Sequence, residues 1–205
     1  PSRAPFPGWD PNPPAGLPPA PAGPFLTAPH AGMGIIVDMY YKDHQRVLDA
    51  VQDVGFTWVK QQVQWKDIEG SPGADAWAEL DSIVADTTAR GLHLMISVVK
   101  APAWANGGGN GFPFDPTTLG NFMQAMATHY RGRVAAYEIW NEQNLIGESG
   151  DVNPAHYAAL LKAGYLGVKA GDPGAVVVSG ALTPTGLYDQ NLAMEDTWYL
   201  DQLYQ

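Results

Sequence analysis

The sequence contains no cysteine, few positive charges and no long apolar run. Without cysteine, the 205-residue chain can form neither disulfide bonds nor thiolate metal sites. Its 11 lysine and arginine residues face 21 aspartate and glutamate residues, and the formal net charge of −10 would repel a phosphate backbone. The longest apolar stretch, residues 92–99, is far shorter than the roughly 20 residues that cross a bilayer. We therefore expect no nucleic-acid partner and no membrane span.

The chain does contain enough apolar material for a core, together with one region of unusual composition. Hydrophobic residues make up 45% of the sequence and charged residues 16%, which is typical of a globular domain. Eleven of the 18 prolines fall in residues 1–29. Because proline fixes φ and lacks an N–H, we predict an extended linker or arm over residues 1–31 and a folded domain over residues 32–205. A proline-rich ligand for a partner domain is the alternative role of this segment.

Beyond residue 32, short apolar runs alternate with amphipathic helical stretches about every 35 residues. The predicted strands are residues 34–38, 57–65, 92–99, 134–140 and 175–179, and the predicted helices are residues 45–54, 77–89, 116–131, 154–170 and 198–205. This alternation predicts an α/β fold with a parallel sheet. A doubly wound sheet would carry a G-x-G-x-x-G motif after its first strand, and the nearest match precedes that strand. We therefore favour a TIM (β/α)8-type barrel, with about five of its eight β/α units in this chain.

In such a barrel, functional residues lie where strands end and loops begin. The end of the predicted fourth strand reads Glu138-Ile139-Trp140-Asn141-Glu142. A glycosidase needs a carboxylic acid that protonates the leaving oxygen and a neighbouring amide that bonds the sugar 2-hydroxyl. Asn141 and Glu142 supply that pair, although an Asn-Glu dipeptide can also serve as a simple helix cap. We assign a structural, hydrogen-bonded role to Glu138.

Residues 138–144 resemble the fourth-strand motif of the clan A retaining glycoside hydrolases, most closely family 39 and its relatives. That motif typically reads Glu-Ile-Trp-Asn-Glu-Pro-Asn, and this chain departs from it only at Gln143. The similarity extends to residues 58–65, which resemble the second strand of the family with Lys60 in place of arginine. Residues 101–105 resemble the loop after its third strand.

The resemblance covers most of residues 34–205 and implies a retaining enzyme that hydrolyses O-glycosidic bonds in a poly- or oligosaccharide. It implies that Glu142 is the general acid/base and that Asn141 contacts the sugar 2-hydroxyl. The nucleophile of the family is a glutamate at the end of strand seven, and five β/α units do not reach that strand. We therefore expect the remaining strands to come from elsewhere, either from a longer polypeptide or from a partner subunit. A non-catalytic carbohydrate-binding or structural subunit derived from such an enzyme is the alternative.

Five further residues near the predicted strand ends are candidate substrate contacts, namely Asp38, Lys60, Trp65, Trp104 and Trp140. Aromatic faces suit the C–H faces of pyranose rings, and core packing is the alternative role of the tryptophans. The glycine-rich residues 106–111 form either a mobile lid or a plain loop. The five histidines lack metal-ligand spacing, so we expect no metal and no cofactor. Because polysaccharides are mostly outside cells, we expect an extracellular or cell-surface location.

Overall fold

The computed structural model describes residues 32–189 and 191–205, and a five-stranded sheet lies at its centre. All five strands run parallel, and their order in the sheet is their order in the chain. The strands are β1 Gly34–Val37, β2 Trp58–Gln64, β3 His93–Val99, β4 Ala136–Ile139 and β5 Val176–Ser179. The predicted proline-rich arm lies outside the described residues, so its extended form and its part in partner binding stay predictions.

Helices connect the strands of this sheet. The longer helices are α1 His44–Asp53, α3 Ala78–Ala89, α5 Pro116–His129, α7 Pro154–Gly171 and α8 Asp196–Leu203. Three four-residue helices lie in the loops that follow β2, β3 and β4, namely α2 Trp65–Ile68, α4 Ala103–Asn106 and α6 Ile146–Ser149. A small antiparallel pair, β6 Tyr188–Asp189 and β7 Ala193–Met194, follows β5. The sequence pattern predicts none of these short elements, because four residues or fewer are too few to show a period.

The strand order distinguishes between the two α/β architectures. In a doubly wound sheet the order reverses at a switch point. In the described part of this chain, each strand pairs beside the one before it, from β1 to β5. That is the order of strands in the wall of a (β/α)8 barrel. The predicted fold, an α/β barrel of which about five units are present, is confirmed.

The two faces of the sheet differ in polarity, because alternate residues of a strand point to opposite faces. One face is buried against the helices and consists mainly of fully buried apolar side chains, namely Val59, Val63, Leu94, Ile96, Val98, Tyr137 and Ile139. The opposite face carries Lys60, Gln62, Ser97 and Glu138 on three neighbouring strands, and Gln62, Ser97 and Glu138 are in register. The core therefore lies between the sheet and the helices, and the opposite face carries polar groups beside apolar residues such as Ile36 and Met95.

Apolar side chains are exposed along both edges of the described sheet. On β1, the adjacent residues Ile35 and Ile36 are 42% and 61% exposed, so neither face of this strand is covered. On β5, Val176 is 39% exposed. An edge strand also presents unpaired N–H and C=O groups. In the described part of the chain, these edges are the places where further barrel strands would pair.

The helices α5 and α7 begin with a side-chain cap and a proline. The side chains of Asp115 and Asn153 each accept hydrogen bonds from backbone N–H groups in the first helical turn. Pro116 and Pro154 occupy the first helical positions, where a missing N–H has no cost. These local signals fix where the two helices start, and α7 packs beside β4, the strand that leads to the candidate site.

Helices α5 and α7 approach each other so closely that backbone meets backbone. A Cβ atom added at Gly167 would lie 2.1 Å from the carbonyl oxygen of Gly120. On another side of α7, a Cβ atom at Gly164 would lie 2.8 Å from Cδ1 of Ile139, which belongs to β4. Glycine thus sets the distance of α7 both from α5 and from β4.

We expect Gly167→Ala to lower the free energy of unfolding by about 1–3 kcal/mol, because the added methyl group meets a backbone oxygen that no rotamer change can move. Gly147→Ala is the matched control. Gly147 is also helical, and nothing lies within 4 Å of a Cβ atom built there, so alanine should be neutral or stabilising by up to about 1 kcal/mol. Chemical denaturation of both variants measures the difference, and equal stability would contradict the close approach.

Candidate active site

The backbone turns sharply where β4 ends. Trp140 and Glu142 have φ angles of 70° and 55°, in the left-handed region that residues other than glycine rarely adopt. Each such residue costs on the order of 1 kcal/mol or more and persists only where its surroundings hold it. Strained backbone of this kind clusters at functional sites. The turn therefore marks the segment around Asn141 as a candidate active site independently of its sequence motif.

Buried contacts hold this turn in place. The Trp140 ring is 0% exposed, and its Nε1 donates to the carbonyl oxygen of Glu148 at 3.2 Å. The backbone N–H of Glu142 donates to the carbonyl oxygen of Ala181 at 2.7 Å. Asn141 and Glu142 are both half-buried. The predicted acid and its neighbouring amide therefore sit on a fixed backbone with part of their surface open.

Two amide side chains tie the turn to the loop after β5. Gln143 donates from Nε2 to the carbonyl oxygen of Gly180 at 2.8 Å. The fully buried Asn144 donates from Nδ2 to the carbonyl oxygens of Thr183 and Met194, each at 2.8 Å. Its Oδ1 accepts from the N–H of Thr183 at 2.9 Å. Sequence reasoning missed both roles, and the run of amide residues directly after a strand is the signal that could have found them.

Tyr157 on α7 joins the ends of β4 and β5. Its hydroxyl donates to the carbonyl oxygen of Ile139 at 2.9 Å and accepts from the N–H of Gly180 at 2.6 Å. Burial raises the pKa of Tyr157 above its usual range, against the smaller opposing effect of the Gly180 hydrogen bond. The phenol therefore stays protonated and can donate and accept at once. A Cβ atom at Gly180 would lie 2.9 Å from the backbone carbonyl carbon and oxygen of Trp140, so glycine allows this close approach.

Lys60 on β2 lies beside two polar groups of the fourth-strand segment. Its Nζ is 2.5 Å from Oε2 of Glu138 and 3.4 Å from Oδ1 of Asn141. Glu138 is 4% exposed, so the ammonium compensates a buried carboxylate. The structure thus gives Glu138 an ion-pair partner. It also places Lys60, a predicted substrate contact, against groups of the protein itself.

The three candidate tryptophans differ in exposure. Trp65 and Trp140 are 0% exposed, and the Trp65 ring stacks on Phe122 at 5.2 Å between centroids. With their ring faces buried, these two residues have the core-packing role that was the alternative to sugar stacking. Trp104 is half-buried, stands edge-on to Trp65 at 5.6 Å, and donates from Nε1 to the carbonyl oxygen of Glu69 at 3.0 Å. Trp104 is therefore the candidate with ring surface left open.

Asp38 lies at the end of β1, outside the hydrogen-bond network of Asn141. Its carboxylate is 71% exposed and lies 3.9 Å from Nζ of Lys42. Together with Tyr40 and Gln62 it lines an open cleft of about 1130 Å³ at the ends of β1 and β2. The cleft is large enough to admit a sugar residue, and a substrate contact at Asp38 stays a prediction.

The glycine-rich loop after α4 is braced by its own asparagine. The buried Asn106 side chain donates from Nδ2 to the carbonyl oxygens of Gly109 and Gly111, at 2.9 and 3.0 Å. Its Oδ1 accepts from the N–H of Gly108 at 2.9 Å. These bonds favour a plain, ordered loop over a mobile lid.

The end of β4 offers the chemistry of one carboxyl group and one amide. Glu142 can donate or accept a proton, and Asn141 can form a hydrogen bond with a hydroxyl group.

Within residues 32–189 and 191–205, no group of three or more histidine, aspartate or glutamate side chains is placed to hold a metal ion. No helix in that part of the chain combines the length and the apolar character needed to cross a bilayer.

No known protein-family profile matches the sequence. Solved structures with a similar fold include glycoside hydrolases. A family 39 glycoside hydrolase from the gut symbiont Bacteroides cellulosilyticus WH2 superposes with a TM-score of 0.59 at 23% identity, over 71% of this chain and 31% of that enzyme. An exo-β-1,4-mannosidase from Opitutaceae bacterium strain TAV5 gives a TM-score of 0.61 at 18% identity, over 73% and 32% of the two chains. A family 39 β-xylosidase from Caulobacter crescentus gives 0.56 at 20% identity, over 71% and 39%.

This chain therefore spans roughly a third of the length of these enzymes. At identities of 16–23% across the similar structures, the likeness concerns the fold. The fold that the resemblance to family 39 and other clan A glycoside hydrolases implies is the fold observed. The chain has the fold of part of a glycoside hydrolase barrel.

We expect Asn144→Ala to lower the free energy of unfolding by about 3 kcal/mol, since two carbonyl groups and one N–H lose their partner at a cost of about 1 kcal/mol or more each. Asn121→Ala on the exposed side of α5 is the control, with an expected change within about 0.5 kcal/mol. Denaturant unfolding of both variants measures this. Indistinguishable stabilities would show that the Asn144 hydrogen bonds do not hold the turn.

Proposed function

We propose that residues 32–205 are the acid/base-bearing part of a retaining glycoside hydrolase that acts on a poly- or oligosaccharide. The observation that carries this proposal is the Asn141-Glu142 pair on a strained, anchored turn at the carboxyl end of β4. Catalytic residues of (β/α)8 enzymes lie at this end of the strands. The likeness of the fold to glycoside hydrolases supports the same conclusion.

In this mechanism, Glu142 protonates the glycosidic oxygen while the bond from that oxygen to the anomeric carbon breaks. A second carboxylate attacks the anomeric carbon from the opposite face and forms a covalent glycosyl-enzyme. Asn141 donates from Nδ2 to the sugar 2-hydroxyl, a contact that strengthens in the oxocarbenium-like transition state. In the second step Glu142 takes a proton from water, and the water oxygen displaces the carboxylate from the anomeric carbon.

The nucleophile in this proposal is the glutamate expected at the end of strand seven. Glu138 does not serve, because its carboxylate is buried and paired with Lys60. The exposed edges of β1 and β5 support pairing with further strands, which a continuing polypeptide or a partner subunit would supply. An extracellular or cell-surface location is part of the proposal, because that is where most polysaccharide substrates lie.

A non-catalytic carbohydrate-binding or structural subunit is the second candidate. It is favoured by the open ring surface of Trp104, which suits the C–H face of a pyranose ring. The two candidates differ in turnover. A subunit of this kind would bind oligosaccharides without releasing reducing ends.

The test measures hydrolysis by the intact source protein and by its Glu142→Gln variant. We expect the variant to lose about 100- to 10,000-fold in kcat/KM on natural oligosaccharides, since glutamine cannot protonate the leaving group. A dinitrophenyl glycoside needs no such proton, so its first step should survive. Azide should then restore turnover and yield a glycosyl azide with the anomeric configuration of the substrate.

Glu148→Gln is the control, because Glu148 is also half-buried after β4 but pairs with Lys100 at 2.5 Å. It should keep wild-type turnover. Full activity of Glu142→Gln, or an azide product of inverted configuration, would contradict the assigned role. Oligosaccharide binding without hydrolysis by the wild-type protein would support the non-catalytic subunit instead.

A further inference from the structure

The orientation of the Asn141 amide is set by its neighbour on β2. The Lys60 ammonium lies 3.4 Å from the amide of Asn141. An ammonium carries three donors and no acceptor, so it attracts the amide oxygen and repels the amide NH₂ group. The oxygen therefore faces Lys60, and Nδ2 points to the opposite side of the Cβ–Cγ bond, where it is left as a donor. The two orientations of an asparagine amide, which exchange Oδ1 and Nδ2, have nearly the same shape. Packing alone therefore does not distinguish them, and a charged neighbour such as Lys60 does.

Lys60 is itself held in place by Glu138. The lysine side chain is long and flexible, and an unanchored ammonium would not select one amide orientation. Oε2 of Glu138 lies 2.5 Å from Nζ of Lys60, and the lysine side chain is only 22% exposed. Glu138 shares the inner face of the sheet with Lys60, in register with Ser97 of the strand between them. The ion pair therefore spans β2 to β4 and delivers one N–H of the ammonium to Asn141.

We propose that Lys60, anchored by Glu138, is a positioning residue that presents the Asn141 amide as a donor to the sugar 2-hydroxyl. This inference rests on the proposed glycosidase function. It replaces the direct substrate contact that the sequence suggests for Lys60. Lys60 acts on the reaction only through Asn141, so its contribution should exist only for substrates that carry a 2-hydroxyl group.

The test removes the ion pair as a unit with the double variant Lys60→Met/Glu138→Gln. Removing Lys60 alone would leave a buried, uncompensated carboxylate and could prevent folding. For an aryl glycoside with a 2-hydroxyl group we expect kcat to fall about 100-fold, as for other misplaced contacts, with little change in KM. For the matching 2-deoxy glycoside we expect less than a threefold change, which is within ordinary variation between variants.

Two comparisons make the test specific. Adding Asn141→Ala to the double variant should cause no further loss beyond that of Asn141→Ala alone, because both changes remove one interaction. Lys60→Arg should keep most of the activity, since a guanidinium can bind Glu138 and still donate to the amide. The matched control is Lys100→Met/Glu148→Gln, which removes another ion pair of 2.5 Å after β3 and β4 and should keep the wild-type preference for the 2-hydroxyl substrate.

A second readout needs no turnover. The side-chain ¹⁵N–¹H₂ signals of Asn141, assigned by their loss in Asn141→Asp, should shift in Lys60→Met/Glu138→Gln and stay in place in Lys100→Met/Glu148→Gln. Equal losses on the 2-hydroxyl and 2-deoxy substrates, or unchanged Asn141 signals, would overturn the positioning role. If the wild-type protein hydrolyses no glycoside, the proposed function fails, and the Asn141 signals alone then decide whether Lys60 orients the amide.

Discussion

The left-handed turn at the end of β4 is the constraint on which the rest of the site depends. It places the Asn141 and Glu142 side chains at the carboxyl edge of the sheet, and it is unfavourable unless its neighbours hold it. Those neighbours come from α7 and from the loops after β4 and β5, and they act through backbone hydrogen bonds and amide side chains. The position of the candidate acid is therefore a property of two adjacent β/α units together. Without the second unit, Glu142, Gln143 and Asn144 would lose their partner groups.

The two faces of the sheet have different roles: one contributes to stability and the other carries groups of the candidate site. The face toward the helices holds closely packed apolar side chains, which contribute most of the burial. The opposite face holds Lys60 and Glu138, a charged pair whose net contribution to stability is small because both groups lose hydration. Such a pair fixes geometry more than it stabilises. In this sheet the charged pair lies on the face turned away from the apolar core between strands and helices.

Much of this arrangement could be predicted from the sequence, because its signals are local. The alternation of strands and helices predicts the parallel sheet, and the Asp-Pro and Asn-Pro pairs predict the starts of α5 and α7. The position of Asn141 and Glu142 after β4 follows from the strand before them. Burial of individual tryptophans could not be predicted, because Trp65 and Trp104 look alike in sequence and differ only in what packs on them.

Contacts between distant residues were equally beyond a reading of the sequence. Lys60 and Asn141 are 81 positions apart, and their meeting depends on the register of three strands. The four-residue helices are invisible to periodicity for a different reason, since one turn shows no repeat. The bracing of the glycine-rich loop by Asn106 depends on a side chain that bends back on its own loop. Such contacts are consequences of the fold rather than signals that precede it.

The contact between α5 and α7 bears on how the protein can tolerate mutation. Where a side chain is too large, a smaller neighbour elsewhere can restore the fit, and second-site suppressors arise in this way. At Gly167 the obstructing atom is the carbonyl oxygen of Gly120, which every amino acid possesses. No substitution at position 120 can remove that oxygen. A substitution at Gly167 can therefore be compensated only by reversion or by a shift of the whole helix. Such a shift would also disturb β4, because α7 packs on that strand through Gly164 and Ile139.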